Sequence, residues 1–277
     1  METTRTMWEA RESEENFPVA LRVLPRRHRE HLHAVYGFAR HVDELGDSYQ
    51  GDRTAALTEF RGQTLDLWRG VAPMHPVLRR LAPTVRECGL SLEPFDRLIQ
   101  ANLADQQVSR YATSADLREY CRLSADPVGR IVLEVFGCAT PGRIALSDQV
   151  CTGLQIIEHL QDVGEDYRAG RIYLPTELMA AYGVPERDLG EAAASGELRA
   201  LVLAETERTV ALLRAGSALV GELRGWARLA VAGFVAGGLA AADAVRRTGG
   251  DVLAQQAAPA TADVLRHAAQ VWRKGHR

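Results

Sequence analysis

Cysteine is scarce in this sequence. Four occur in 277 residues, Cys88, Cys121, Cys138 and Cys151. None sits in a CxxC or beside a histidine cluster, which removes the basis for a disulfide scaffold or a zinc site. Small buried hydrophobes in a reducing, cytoplasmic setting are the expectation for them. There is no dense Lys/Arg block, and a net charge of −3 offers no general attraction to nucleic acid. The opening METTRTMWEARESEE is charged and lacks the apolar core of a signal peptide. No GxGxxG follows a strand, so no independent dinucleotide site is visible. Internal repeats, low-complexity tracts and domain linkers are also missing, and one domain over 1–277 is the expectation.

Period-two alternation is rare, and helical spacing fills the gap. From Arg29 to Leu45, Leu32, Val35, Phe38, Ala39, Val42 and Leu45 trace one face. Similar patterns predict helices near 54–69, 75–89, 92–106, 115–137, 144–166, 196–222, 225–247 and 261–273. Pro and Gly punctuate between them. GRIYLP, Gly170 to Pro175, is irregular, and Gly183 to Gly196 reads as a polar loop with a short helix. Leu229 to Val245 is the most apolar late stretch; it is short for a membrane span and flanked by charge, so a buried helix is the expectation and a membrane span the lesser alternative. The fold class is therefore all-α, a helical bundle.

Carboxylates carry the candidate chemistry. Asp43 and Asp47 are one helical turn apart, with Arg40 and Tyr36 on the same stripe. Acidic residues number 36 of 277, so one such pair is within chance and a solvated face would explain it. A second cluster adds weight. Gln155, Glu158, Asp162 and Asp166 follow at steps of three, four and four on a helix whose remainder is largely apolar. Carboxylates on a buried face need partners. Mg²⁺ is one answer, since it binds carboxylate and phosphate oxygens together; salt bridges to Arg40, Arg168 or Arg171 are the other. If the two helices face each other, their carboxylates form two banks able to grip a diphosphate through metal ions, above an apolar cavity.

At these residues the sequence resembles the squalene/phytoene synthase family. The family's first motif is similar to YGFARHVDELGD, Tyr36 to Asp47. Its second is similar to LQIIEHLQDVGED, Leu154 to Asp166, followed by GRIYLP. YCRLSADPVGR, Tyr120 to Arg130, and ENFPVALRVLPRRHR near the start support the match. The likeness covers about residues 15–175, with the last third matching only as apolar helix. It implies an isoprenoid synthase-type bundle around a central cavity, with Asp43, Asp47, Asp162 and Asp166 as Mg²⁺ carboxylates. Glu158 stands where the family has a metal-binding Asn, and Gln161 where it has an Arg at the diphosphate site. Gln155, Arg40, Arg171 and Tyr173 would contact diphosphate, and Phe17, Tyr36 and Tyr120 would line the upper cavity. Glu44 and Glu165 are expected to point away, and His31, His33 and His159 to be surface or satisfied core residues.

ENFPVA, ANLADQQVSRY and SADPVGR resemble the hydroxysqualene synthase branch of bacterial hopanoid pathways. That implies conversion of presqualene diphosphate and water to hydroxysqualene, with Mg²⁺ and without NADPH. Head-to-head condensation of two prenyl diphosphates is the alternative, and a non-catalytic relative acting as an assembly partner is a third. Implied partners are a prenyl diphosphate, other enzymes of the same pathway and, peripherally, a membrane surface.

Overall fold

Capping and breaking residues set the helix boundaries. The computed structural model describes residues 24–274. Helix α1 runs Arg26–Asp47, α2 Arg53–Trp68, α3 Pro76–Cys88 and α4 Leu92–Asp105. Asp52 caps α2 by accepting from the Ala55 N–H at 2.9 Å. Gly89, at φ 64°, closes α3 in the left-handed conformation that a side chain would resist. Thr113 and Asp116 form a reciprocal capping box that starts α5, Ser114–Ser124. Helix α6 follows at Asp126–Val135, with Pro127 in its first turn.

Thr140 caps α7, Pro141–Gln161, and a six-residue α8 covers Val163–Arg168. The chain then crosses GRIYLP, which pairs through one isolated bridge between Arg110 and Ile172. After α9, Thr176–Tyr182, a 3₁₀ turn at Glu186–Gly190 occupies the expected polar loop. Helices α10, Gly196–Gly216, α11, Leu219–Glu222, α12, Gly225–Arg247, and α13, Thr261–Lys274, complete the described chain. No strand occurs among the described residues, and the all-α expectation holds.

Two apolar clusters pack side by side. One gathers Phe38, Phe95, Leu57, Leu78 and Ile99 from α1 to α4. The other gathers Ile157, Leu160, Leu198, Leu201 and Val235 from α7, α10 and α12. Phe136 touches both. In the second cluster the Leu213 side chain seats between two glycines. A Cβ on Gly153 of α7 or on Gly238 of α12 would lie about 3 Å from it. Helix α12 is long and apolar enough to cross a membrane by composition, yet 78% of its apolar window is buried within the protein. It acts as a central core helix, as expected for Leu229 to Val245.

Candidate active site

Between the clusters lies a cavity of about 460 Å³. Its lower walls are apolar, with Leu32 and Val35 from α1, Leu98 from α4, Val132 from α6, Leu154 from α7 and Phe234 from α12. Its mouth is acidic. Asp43 and Asp47 of α1 stand on one side, and Glu158, Asp162 and Asp166 on the other. Tyr36, Arg40, Gln155, Tyr120, Arg171 and Tyr173 also line it. The residues singled out from sequence within 24–274 therefore converge on one cavity, with one exception.

The exception is Gln161. Its amide Nε2 donates to the Ala257 carbonyl, and the side chain is not among the cavity walls. The expected role at the diphosphate site is corrected. The physical cause is a break in the predicted 144–166 helix. Helix α7 ends at Gln161, and Asp162, at φ −103° and ψ 13°, joins it to α8. Gln161 points toward the segment that joins α12 to α13, while Asp162 and Asp166 still line the mouth. Phe17 lies outside the described residues.

The mouth is short of positive charge. Arg171 donates to Asp47 Oδ1 at 2.8 Å and so bridges the GRIYLP segment to α1. Burial works against its charge, but the bond to Asp47 and the surrounding acidic groups hold it above its ordinary value. Arg40 pairs with Glu44 at 3.4 Å. Asp162 is pushed up to about 6, by burial first and then by Asp166 and Glu165. Asp166 Oδ2 is buried with no hydrogen-bond partner, and His159 Nδ1 lies 3.4 Å away.

A polar and aromatic layer supports the carboxylates. Asn102 of α4 donates to Asp43 Oδ1 at 3.1 Å. His159 stacks on Tyr173 with ring centroids 3.6 Å apart, and its Nε2 lies 3.0 Å from the Gln155 amide nitrogen. With the amide donating, the ring proton sits on Nδ1, toward Asp166. Tyr111, Tyr120 and Tyr173 form a triangle with centroids 5.4–5.7 Å apart. The Tyr120 hydroxyl donates to Asp105 Oδ2 at 3.1 Å. Asp105 is pushed up to about 6, chiefly by burial, against the pull of Arg171 and Tyr120.

Asn102, Asp105 and His159 were not foreseen as site residues. His159 was expected to be a surface or core histidine, and it lines the cavity. A signal existed: it is one turn from Gln155 and beside Glu158. Asn102 and Asp105 stand three apart within ANLADQQVSRY, a segment noted only for its resemblance. Glu44 and Glu165 are not among the cavity walls, as expected. His31 is a buried core histidine, with Nδ1 3.0 Å from Thr84 Oγ1 and Nε2 buried without a hydrogen-bond partner among the described residues, so it is satisfied at one ring nitrogen alone.

The donor set suits a hard divalent cation. The groups are carboxylate oxygens, one is buried and orphaned, and a neighbouring carboxyl is pushed up by burial and then by the acidic groups beside it. Among the described residues no three His, Cys, Asp or Glu side chains already form a metal cluster. The carboxylates stand instead as two banks, an arrangement that substrate phosphate oxygens would complete.

The helical bundle sets an apolar cavity under a carboxylate mouth, an arrangement able to take an apolar chain below and an anionic group, bridged by divalent cations, above. The chain belongs to the squalene/phytoene synthase family, whose model matches residues 10–263. It is 36% identical over 211 residues to the hydroxysqualene synthase of Zymomonas mobilis, covering 74% of this chain and 69% of that one. The presqualene diphosphate synthase of Rhodopseudomonas palustris is 34% identical over 199 residues, 71% of each chain. Among solved structures, squalene synthase HpnC from Alicyclobacillus acidocaldarius superposes with a TM-score of 0.80 at 39% identity, over 86% of this chain and 90% of that one. A dehydrosqualene synthase with bound ligand gives a TM-score of 0.84 at 25% identity, over 96% and 94%.

Proposed function

We propose that the chain converts presqualene diphosphate and water to hydroxysqualene and diphosphate, with Mg²⁺ at the carboxylate mouth. The observation that carries this reading is the scarcity of cationic side chains there. The arginines of the cavity wall are Arg40 and Arg171, each already paired with an acidic residue. Where the family pattern has a further arginine, this chain has Gln161, turned away to Ala257. Such a mouth suits one diphosphate better than the two that a condensation brings together. The similarity to hydroxysqualene synthases supports the same branch.

Asp43, Asp47, Glu158, Asp162 and Asp166 would hold Mg²⁺, which when bound neutralises charge on the departing diphosphate. Arg171 would orient the diphosphate beside Asp47. Burial raises the Tyr120 and Tyr111 phenols well above their usual range, so both stay neutral. A neutral ring steadies a passing carbocation through its face without offering a phenolate that the cation would alkylate. The apolar lower walls exclude bulk water, so a held water, rather than solvent, meets the cation. The hydrogen-bonded pair of Tyr120 and Asp105 supplies polar atoms on the wall able to hold it.

The competing reading, condensation of two prenyl diphosphates, draws on the likeness to presqualene diphosphate synthase. The deciding experiment incubates pure protein with Mg²⁺ and either presqualene or farnesyl diphosphate in ¹⁸O-labelled water, with products identified by mass spectrometry. Labelled alcohol from presqualene diphosphate without NADPH is expected, with little product from farnesyl diphosphate. Efficient formation of presqualene diphosphate or phytoene from simple allylic diphosphates would move the chain to the condensing branch. NADPH-dependent squalene would make it a reducing enzyme.

A further inference from the structure

Serine and threonine within helices usually donate their hydroxyl to the carbonyl one turn back. Thr58, Thr64, Thr206 and Thr209 all do so, at 2.7–2.9 Å. Ser124, the last residue of α5, does not. Its Oγ is buried and has no hydrogen-bond partner among the described residues, and Ser124 lines the main cavity. Asp105, on the same cavity, has an oxygen in the same state. Its Oδ2 accepts from the Tyr120 hydroxyl at 3.1 Å, while its Oδ1 is buried and unpartnered among the described residues. A buried polar atom without a protein partner is costly unless a water or a ligand meets it.

Both side chains stand where the wall changes from polar to apolar. Tyr120, Ser124, Val128 and Val132 follow at steps of four along α5 and α6, and all four line the cavity. On α4, Leu98, Ala101 and Asp105 follow at steps of three and four, and they line it too. Each of these faces passes from an apolar end to a polar one, and the Tyr120–Asp105 hydrogen bond ties the two polar ends together. Ser124 is one helical turn from Tyr120, and Asp105 holds the tip of the same phenol. A prenyl chain lying in the apolar part, with its diphosphate at the mouth, has its reacting carbons at this boundary.

We propose that Ser124 and Asp105 together hold the water that captures the cation, and that Asp105 takes its proton. This rests on the function proposed above and assigns its last step to residues. Diphosphate leaves first, with the electrons of its C–O bond. The water hydrogen-bonds to Ser124 Oγ and donates to Asp105 Oδ1, which leaves a lone pair for the cationic carbon. The C–O bond of the alcohol forms from that pair, one O–H bond of the water breaks, and the proton passes to Asp105 Oδ1. Tyr120 fixes the carboxyl through Oδ2, so Oδ1 keeps its direction through the step. With the water unheld, the same cation sheds a proton and becomes a hydrocarbon.

The test gives the full chain Mg²⁺ and presqualene diphosphate in ¹⁸O-labelled water. It reads labelled alcohol per diphosphate released, with hydrocarbons followed by mass spectrometry. Wild type should give mostly labelled alcohol. Ser124→Ala should lower the ratio about five- to ten-fold in favour of hydrocarbon, as loss of one hydrogen bond to the water would. Its melting temperature should be no lower than that of wild type, because the change removes an unpartnered buried hydroxyl. Ser124→Thr keeps the hydroxyl and should restore the alcohol. Asp105→Asn keeps an acceptor for Tyr120 but cannot take a proton, and should lower the ratio about a hundred-fold. A wild-type ratio in Ser124→Ala or in Asp105→Asn would overturn the proposal and leave the function standing. So would a Ser124→Ala protein that melts lower and loses diphosphate release and alcohol in step, the pattern of a structural role. A wild type that makes no alcohol would overturn the proposed function itself, and this inference with it.

Discussion

At the scale of single residues, Gln161 and Asp126 invite direct tests. Gln161 donates to the Ala257 carbonyl and so fastens the end of α7 to the segment before α13. Gln161→Ala should cost about 1 kcal/mol of stability, the ordinary net worth of such a bond. The KM for the prenyl diphosphate should hold, whereas a diphosphate contact would raise it. Urea denaturation and initial-rate kinetics separate the two. Asp126 is buried, accepts from the Thr152 hydroxyl at 2.9 Å, and is pushed up to about 7, by burial first and by Asp148 second. A carboxyl raised in the fold binds its proton more tightly there than in the unfolded chain. Its contribution is thus fully present below about pH 4 and is lost as pH rises toward 7. Asp126→Asn removes that loss. Its melting temperature relative to wild type should climb by about 2–4 °C or more between pH 5 and 8, the shift that 1 kcal/mol makes in a chain of this size. A constant difference across that range would refute the assignment.

At the scale of elements, glycine decides how closely helices approach. A Cβ on Gly216, at the end of α10, would stand 2.8 Å from the Leu146 carbonyl and 2.9 Å from the Val150 nitrogen of α7. Both are backbone atoms, so neither can swing aside. Gly216→Ala should cost about 1–3 kcal/mol, as overpacking does, read as a lower denaturation midpoint with unchanged slope. Most helices were legible in the sequence. The predicted 54–69, 92–106 and 225–247 fall within a residue of Arg53–Trp68, Leu92–Asp105 and Gly225–Arg247. Three predicted helices were really two each. The 115–137 span breaks at Ala125, just before Pro127, and 196–222 breaks at Ser217. The 144–166 span breaks at Asp162, two residues before Gly164. There the apolar period runs on across the break, so periodicity did not reveal it. The short α9 also went unseen, because seven residues carry too little periodicity to declare it.

Across the whole molecule, the acidic mouth was legible because its carboxylates repeat at helical spacing on two segments. Its supports were not. Asn102 and Asp105 reach the site from α4, and no local pattern announces their contacts with α1 and α5, 59 and 15 residues away in the chain. Cavity depth has the same character. Below the main cavity lies a void of about 30 Å³, and the two share Val128, Val132, Cys151, Leu154 and Phe234. Phe234 is the largest of these and stands as a partition. Phe234→Ala should join the spaces at a stability cost of about 3 kcal/mol. It should shift acceptance toward longer prenyl tails, read by mass spectrometry of products from substrates of graded length. An unchanged length preference would show that the floor lies elsewhere.

The charge imbalance at the mouth also bears on how this protein evolves. Asp162 and Asp166 crowd each other, one carboxyl is pushed up and one oxygen is orphaned, so the ligand-free fold carries a local strain that a bound cation and diphosphate would relieve. Selection for heat resistance alone, with no demand for turnover, would therefore find its easiest gains here. Asp162→Asn is the expected early winner, a variant with a higher melting point and no catalysis. Directed evolution of a hardier enzyme would need to screen for product at every round, or it would drift toward a well-folded and inactive relative.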